Sequence, residues 1–303
     1  MSVRRFSLGT VQFGLPYGIA SQGGLPAPET VDSILDLALD AGIPSLDTAA
    51  AYGVSEQRIG RFIRRRGCDD AFEICTKLPA LGECVPETAL SGIVAKAVEG
   101  SLRRLSVPYI DEYLLHDFKD LDLYGRALID ALLLQQERGR IQRIGVSVYG
   151  PDDLVQLERF TELEVVQHPL SLLDQRLLAS DTMDILKNSG ISVHARSLFL
   201  QGLIAIPIAS LPDEFEFARQ KLLALHSILE EAGLSPMEAA LGFARAAPVD
   251  KIVVGVDSVA HLQENIDAIA TSMPAGLIKQ LADSFSDVST TIIDPRTWPE
   301  ASA

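Results

Sequence analysis

Four polar residues are placed where they could move a proton. Asp47 closes a short apolar run, and Tyr52 follows it five residues later across the small-residue loop Thr48-Ala49-Ala50-Ala51. Lys77 ends the run Phe72-Glu73-Ile74-Cys75-Thr76-Lys77, and His116 ends Tyr113-Leu114-Leu115-His116. Free tyrosine, with a pKa of about 10, is a weak acid at neutral pH. A lysine ammonium within hydrogen-bond reach favours the phenolate and lowers that value. A buried lysine in turn needs an anion, which Asp47 can supply. His116 can hydrogen-bond a substrate oxygen and orient it. Tyr52 can then give a proton to the alkoxide that forms as hydride reaches a carbonyl carbon. Each residue alone has a plainer reading: a turn cap, a surface ring, a solvated strand end, a satisfied core histidine. Together, in this order, they fill the acid, base and orienting roles. That chemistry suits carbonyl reduction by a nicotinamide cofactor.

Such residues need a scaffold that brings strand ends together. Short Val- and Ile-rich runs alternate here with longer segments of helical period. The runs predict strands over Phe6–Gln12, Ser45–Asp47, Phe72–Lys77, Ile110–His116, Ile144–Val148, Val165–His168, Ser192–Arg196 and Ile252–Gly255. Helices are predicted over Glu29–Leu39, Ser55–Arg65, Glu87–Leu105, Tyr124–Arg138, Pro151–Arg159, Asp181–Lys187, Ser235–Arg245 and Ser258–Thr271. Ser235 and Ser258 stand where N-caps belong, and Gly42, Gly190 and Gly233 where C-terminal caps belong. The strands are continuous apolar runs, as in buried parallel sheets. Eight strand–helix units predict an α/β fold, a (β/α)8 TIM barrel spanning residues 1–303 as a single domain. A doubly wound open sheet would carry a Gly-rich turn after its first strand. Leu8-Gly9-Thr10-Val11-Gln12-Phe13-Gly14 is not that turn. In a barrel the polar strand ends Asp47, Lys77, His116, Ser147, Gln167, Arg196 and Ser197 converge on one mouth.

Bulk properties narrow the partners. The formal net charge is −15, which opposes binding to nucleic acid or to an anionic membrane surface. The three cysteines, Cys68, Cys75 and Cys84, show no zinc-ligand spacing. They read as free thiols in a reducing cytoplasm. The N-terminus has no long apolar segment of the signal-peptide kind. The longest apolar run, Leu198 to Ile208, is too short to span a bilayer.

At these residues the chain resembles the aldo-keto reductase family, from Leu8-Gly9-Thr10 to Glu264-Asn265. The resemblance is carried by Asp47-Thr48-Ala49, Tyr52-Gly53, Ser55-Glu56, Ile59-Gly60, Thr76-Lys77, Leu114-Leu115-His116, Ile144-Gly145-Val146-Ser147, Gln167, Arg196-Ser197, Gln201-Gly202 and Gly255 through Asn265. It implies a cytoplasmic barrel binding an extended NADP or NAD without a Rossmann domain, and a small-molecule carbonyl or alcohol substrate. It also implies Tyr52 as general acid/base, with Asp47, Lys77 and His116 as its partners. Gly9 and Thr10 would lie near the nicotinamide, with Asp47 close by. Ser147 and Gln167 would hold the carboxamide. Arg196 would belong to the cofactor site, and Ser197, Leu198, Gln201 and Gly202 would pass along the pyrophosphate. Gly255, Val256, Asp257, His261, Glu264 and Asn265 would surround the adenosine. The chain departs from the family pattern at three places. Val148 stands where Asn often follows the strand-five Ser, and Arg196 where an aromatic residue often stacks on the nicotinamide. Asp257 and His261 occupy a loop that is often basic in NADP-preferring relatives. An acid there would repel a 2′-phosphate and could bind a ribose hydroxyl, so the choice of cofactor stays open.

Two other classes compete. A non-catalytic nicotinamide-binding barrel could act as a redox sensor or regulatory subunit, which an intact tetrad argues against. A metal-dependent barrel hydrolase or lyase would need ligands on its first strand. Gly9-Thr10-Val11-Gln12 supplies none, so no metal is expected.

Overall fold

The computed structural model describes residues 2–19, 24–178 and 182–299. Eight strands, β1 (Phe6–Gly9), β2 (Ser45–Asp47), β3 (Glu73–Leu78), β4 (Ile110–Leu115), β5 (Ile141–Ser147), β6 (Val165–Pro169), β7 (Ser192–Arg196) and β8 (Lys251–Gly255), pair in parallel, each with the next. β8 returns to β1 and closes the barrel. Around it run α1 (Pro28–Asp40), α2 (Ser55–Arg66), α3 (Glu87–Leu105), α4 (Lys119–Glu137), α5 (Pro151–Val155), α6 (Thr182–Asn188), α7 (Arg219–Glu231), α8 (Pro236–Ala246), α9 (Val259–Ala268), α10 (Ala275–Ser284) and α11 (Thr290–Ile293). The helices among the described residues include none long and apolar enough to cross a membrane.

Strand residues alternate between two environments. Leu46, Ile74, Tyr113, Ile144, Val166, Val193 and Ile252 join helix residues such as Ile34, Phe62, Val98 and Leu132 in the main core. The opposite parity points into the barrel. Gln167 on β6 reaches Asp47 on β2, and Lys251 on β8 reaches Glu112 on β4. The interior therefore holds mostly polar side chains, with only Cys75, Leu114 and Val165 as a small separate apolar cluster.

Most predicted bounds shift by one to three residues, and three of the differences have a visible local cause. β1 ends at Gly9 because the amide and hydroxyl of Thr10 both donate to the carbonyl of Asp47, at 2.9 Å each, and turn the chain into a 3-10 segment over Val11–Phe13. α4 begins at Lys119, before the predicted start, and breaks at Gly125, where φ is 48°. Its predicted neighbour over Pro151–Arg159 tightens to 3-10 geometry from Gln156 onward. α7, α10 and α11 went unpredicted; none is announced by a strand before it. The predicted start at Asp181 lies outside the described residues. The caps behave as their chemistry demands. Ser235 and Glu238 form a reciprocal capping box, and Gly42, Gly190 and Gly233 all take positive φ.

Candidate active site

β2 and β3 deliver an acid and a base side by side at the barrel mouth. Lys77 Nζ lies 2.9 and 2.8 Å from the two carboxylate oxygens of Asp47, and 2.9 Å from the carbonyl oxygen of Thr48. Gln167 Nε2 donates to Asp47 Oδ1 at 2.7 Å from across the barrel. Both charges are buried, so each satisfies the other and the remaining contacts are hydrogen bonds, the condition a buried ion pair requires.

The turn after β2 sets Tyr52 beside this pair. A Cβ on Gly14 would sit 1.7 Å from the carbonyl oxygen of Tyr52, and one on Gly53, at φ +53°, would sit 2.3 Å from the carbonyl oxygen of Gly14. Only two glycines let these loops press together. Behind the turn, the buried hydroxyl of Ser55 donates toward the carbonyl and hydroxyl oxygens of Thr10, both at 2.9 Å. Glu56 accepts from Thr76 at 2.8 Å and from Arg104 at 2.6 Å. Ser55 and Glu56 are therefore clamps: they hold α2 and β3 so that Tyr52 faces the mouth. Gly60 lets α2 rest on α3, since a Cβ there would lie 2.0 Å from the carbonyl oxygen of Arg104.

His116 follows β4 directly, its amide donating to the carbonyl of Leu78. Its ring meets Tyr52 edge to face, with centroids 5.6 Å apart. Lys77 Nζ lies 5.3 Å from the Tyr52 ring centre. Neither the Tyr52 hydroxyl nor the His116 ring makes a hydrogen bond among the described residues, and neither is sealed away from solvent. The tetrad thus divides into an engaged ion pair and two unengaged groups.

Protonation follows from these contacts. Burial lowers His116 to about 4, and the charges of Lys77 and Arg196 add to the shift, so the ring is neutral at pH 7. Burial also dominates at Tyr52 and holds it above its ordinary value, with Lys77 pulling down and Asp47 pushing up. Lys77 thus pulls in the expected direction, but through its charge alone, because its short contacts all go to Asp47 and Thr48. Burial works to raise Asp47, but Lys77 outweighs it and holds the carboxyl below the usual range. Lys77 is in turn raised, the attraction of Asp47 outweighing burial.

The remaining predicted positions lie around the same mouth. Gly9 and Gly255 pair across β1 and β8, where a Cβ on Gly9 would come within 3.1 Å of the Gly255 nitrogen. Ser147 ends β5 beside Gln167. Beyond Arg196 the chain turns through positive φ at Ser197 (64°), Leu200 (46°), Gln201 (56°) and Gly202 (94°). Three of these are not glycine, a local cost sites often carry. The carbonyl of Gln201 ties this loop to Ile19 at 2.9 Å. The side chains of Leu198 and Val256 are packed in the core, so only their backbones can face a ligand. Asp257 and His261 pair with each other at 2.6 Å. Glu264 is exposed and Asn265 buried.

These residues fit a nicotinamide dinucleotide. Gln167 Oε1 and Asn265 Oδ1 are buried acceptors with no partner, suited to a carboxamide NH2 and an adenine amino group. The paired glycines leave backbone uncovered at the strand ends. Sequence reasoning missed Gln12, whose amide lies where a Cβ on Gly255 would be, 2.7 Å from its Oε1, itself buried and unpartnered. It also missed Tyr149 and Arg296, which reach the mouth only through the fold. Deeper in the barrel, ligand-type atoms of Cys75, Glu112 and His194 lie within 4.8 Å of one another. Glu112 already accepts from Lys251 at 2.9 Å and from Arg143.

The comparisons with known proteins agree with this geometry. A sequence model described as Aldo/keto reductase family matches residues 5–284. The chain is 27% identical to a D-threo-aldose 1-dehydrogenase from a Pseudomonas species, covering 89% of this chain and 93% of that one. It is 23% identical to an NADH-specific methylglyoxal reductase from Escherichia coli, covering 94% and 96%. A crystal structure assigned to an aldo-keto reductase from Pseudomonas aeruginosa superposes with a TM-score of 0.66 at 23% identity, over 88% of this chain and 90% of that one.

Proposed function

The chain belongs to the aldo/keto reductase family, and on that premise we propose that it is a nicotinamide-dependent oxidoreductase reducing an aldehyde, ketone or sugar carbonyl, or oxidising the corresponding alcohol, with Tyr52 as proton donor. One observation carries this reading: the Tyr52 hydroxyl and the neutral His116 ring stand unengaged beside a Lys77–Asp47 pair whose hydrogen bonds are filled. His116 hydrogen-bonds the substrate oxygen and aims it. Tyr52, kept protonated by burial, gives that oxygen its proton as negative charge develops there. Lys77 supplies a fixed positive charge near the same oxygen, and Asp47 keeps the lysine in place. A bound NADP or NAD, held by Ser147, Gln167, the loop from Ser197 to Gly202 and the segment from Gly255 to Asn265, would supply the hydride.

The Asp257–His261 pair supports weak discrimination between the two dinucleotides, or a lean toward NADH, because no unpaired cation stands there for a 2′-phosphate. Titration of the protein with NADPH and NADH at fixed ionic strength, followed by an aldehyde, ketone and sugar panel in both directions, tests the reading. NADPH binding more than about 100-fold tighter, a gap of about 2.7 kcal/mol, would contradict the cofactor expectation. Binding of neither dinucleotide, or no turnover of any substrate class, would overturn the proposed activity.

A further inference from the structure

Three arginines converge on the loop after β5, and they are not equivalent. Arg176 is paired with Asp174 through two contacts of 2.8 Å. Arg296 is paired with Asp294 in the same two-pronged way, at 2.9 and 2.6 Å. Arg196, at the end of β7, has no carboxylate within ion-pair distance among the described residues. Its Nη2 donates to the carbonyl of Val148 at 3.0 Å, and its Nη1 to Ser197 Oγ at 3.1 Å.

The guanidinium is nevertheless held in place. It stacks over the Tyr149 ring at 4.4 Å, and Arg296 covers that ring at 3.6 Å. With Arg296 neutralised by Asp294, the shared ring holds Arg196 without cancelling its charge. Arg196 is partly exposed, and only two of its N–H groups are engaged here, of the five that a guanidinium offers. Arg196 ends β7 at the same face of the parallel barrel as Tyr52, after β2, and His116, after β4. The other charges of the mouth are accounted for. Lys77 and Asp47 cancel, His116 is neutral, and Asp117 is turned to the amide of Lys119 at 3.0 Å rather than paired with Arg196. A rigid, partly desolvated cation with free donors and no counter-charge among the described residues is a site for an anion.

We propose that Arg196 recognises an anionic group, carboxylate or phosphate, on the substrate, so that this chain favours acidic carbonyl compounds over neutral ones. The proposal rests on the oxidoreductase reading above. It goes beyond that reading by assigning the substrate class and the residue that selects it. Tyr149 and Arg296 act through Arg196 as positioning residues.

The test compares para-formylbenzoate with its neutral isostere para-formylbenzamide, as a ratio of kcat/KM values, in wild type and in Arg196→Gln. A non-reacting pair, para-toluate and para-toluamide, is titrated by calorimetry with and without bound dinucleotide. Wild type should favour the acid in both measurements, and Arg196→Gln should reduce that preference by about tenfold to a hundredfold, the range of one charge-assisted contact. Arg196→Lys should retain part of it, keeping the charge and losing the planar fork. Tyr149→Leu, which leaves the arginine present but unstacked, should reduce it less than Arg196→Gln does, and it serves as the test if Arg196→Gln does not fold. No preference in wild type overturns the proposal. So does an unchanged preference in Arg196→Gln, including the case in which only dinucleotide affinity falls and the arginine therefore serves a cofactor phosphate. If wild type reduces neither aldehyde nor any member of the aldehyde, ketone and sugar panel, the oxidoreductase reading fails, while the toluate pair still decides whether Arg196 is an anion site.

Discussion

Two buried ionic clusters occupy this barrel, one at the mouth and one toward the base, and they differ in what they leave unengaged. At the mouth, Asp47 accepts from Lys77 and Gln167, and Tyr52 and His116 stand beside them with open polar atoms. Toward the base, Lys251 bridges Glu73 at 2.7 Å and Glu112 at 2.9 Å, and Arg143 also donates to Glu112. His194 lies 3.5 Å from the same carboxylate, sealed in the barrel at 1% exposure. Burial and charge are therefore common to both ends of the barrel. Unengaged donors open to solvent distinguish the mouth, and these are what a reacting carbonyl can use. A buried ion pair by itself is weak support for function.

Removing one lysine from each cluster tests that distinction. Lys77→Met leaves Asp47 buried without its cation, so unfolding free energy should fall by about 3–5 kcal/mol. The surviving fraction should reduce carbonyls more slowly, with an altered pH profile, because Tyr52 loses the charge that pulls its pKa down. Lys251→Met leaves Arg143 on Glu112 and should cost about 1–3 kcal/mol, with kcat/KM per folded molecule within about twofold of wild type. Chemical denaturation and steady-state kinetics on both variants check this. Equal rate losses would erase the difference between the two ends.

Acid should weaken both regions together. His116, His168 and His194 are held near 4, 3 and 3 by burial, against an ordinary value of 6.5. The folded values lie below the unfolded one, so below pH 6.5 the unfolded chain binds more protons. The stability these neutral rings contribute is complete above 6.5 and declines as pH falls toward 3–4, on the order of 1 kcal/mol per histidine per pH unit. Denaturation midpoints measured between pH 7 and 5 should fall, and His194→Gln should flatten the slope as much as His116→Gln. A slope unaffected by either variant would contradict the burial argument. Carbonyl reduction, by contrast, should lose rate at alkaline pH later than a free phenol would dictate, because burial holds Tyr52 above its ordinary value.

The sequence made the strands and their polar ends legible because each strand–helix unit carries its own local signals. Ser45–Asp47 and Ser192–Arg196 were read at their observed limits. The convergence of Asp47, Tyr52, Lys77 and His116 was legible through their placement at strand ends. The division of labour within the resemblance was not. Gly53, Ser55, Glu56 and Gly60 belong to packing, and only atomic distances separate them from Tyr52. Lys77 lowers Tyr52 as its type suggests, but spacing cannot show how deeply the ring is buried, and burial outweighs the lysine. α7, with Leu222, Leu225 and Leu229 on its buried face, begins at Arg219 without a capping side chain and so lacked punctuation. The Arg196–Tyr149–Arg296 stack joins three distant stretches of chain, so no local pattern announces it.

The central claim is that the unengaged Tyr52 hydroxyl is the proton donor. Tyr52→Phe removes that one oxygen and keeps the ring against His116. Single-turnover reduction, started from enzyme already loaded with reduced dinucleotide, isolates the step in question. The account predicts a loss of at least about 10²-fold, with dinucleotide affinity and the unfolding midpoint unchanged. Near wild-type single-turnover rates in Tyr52→Phe would contradict it.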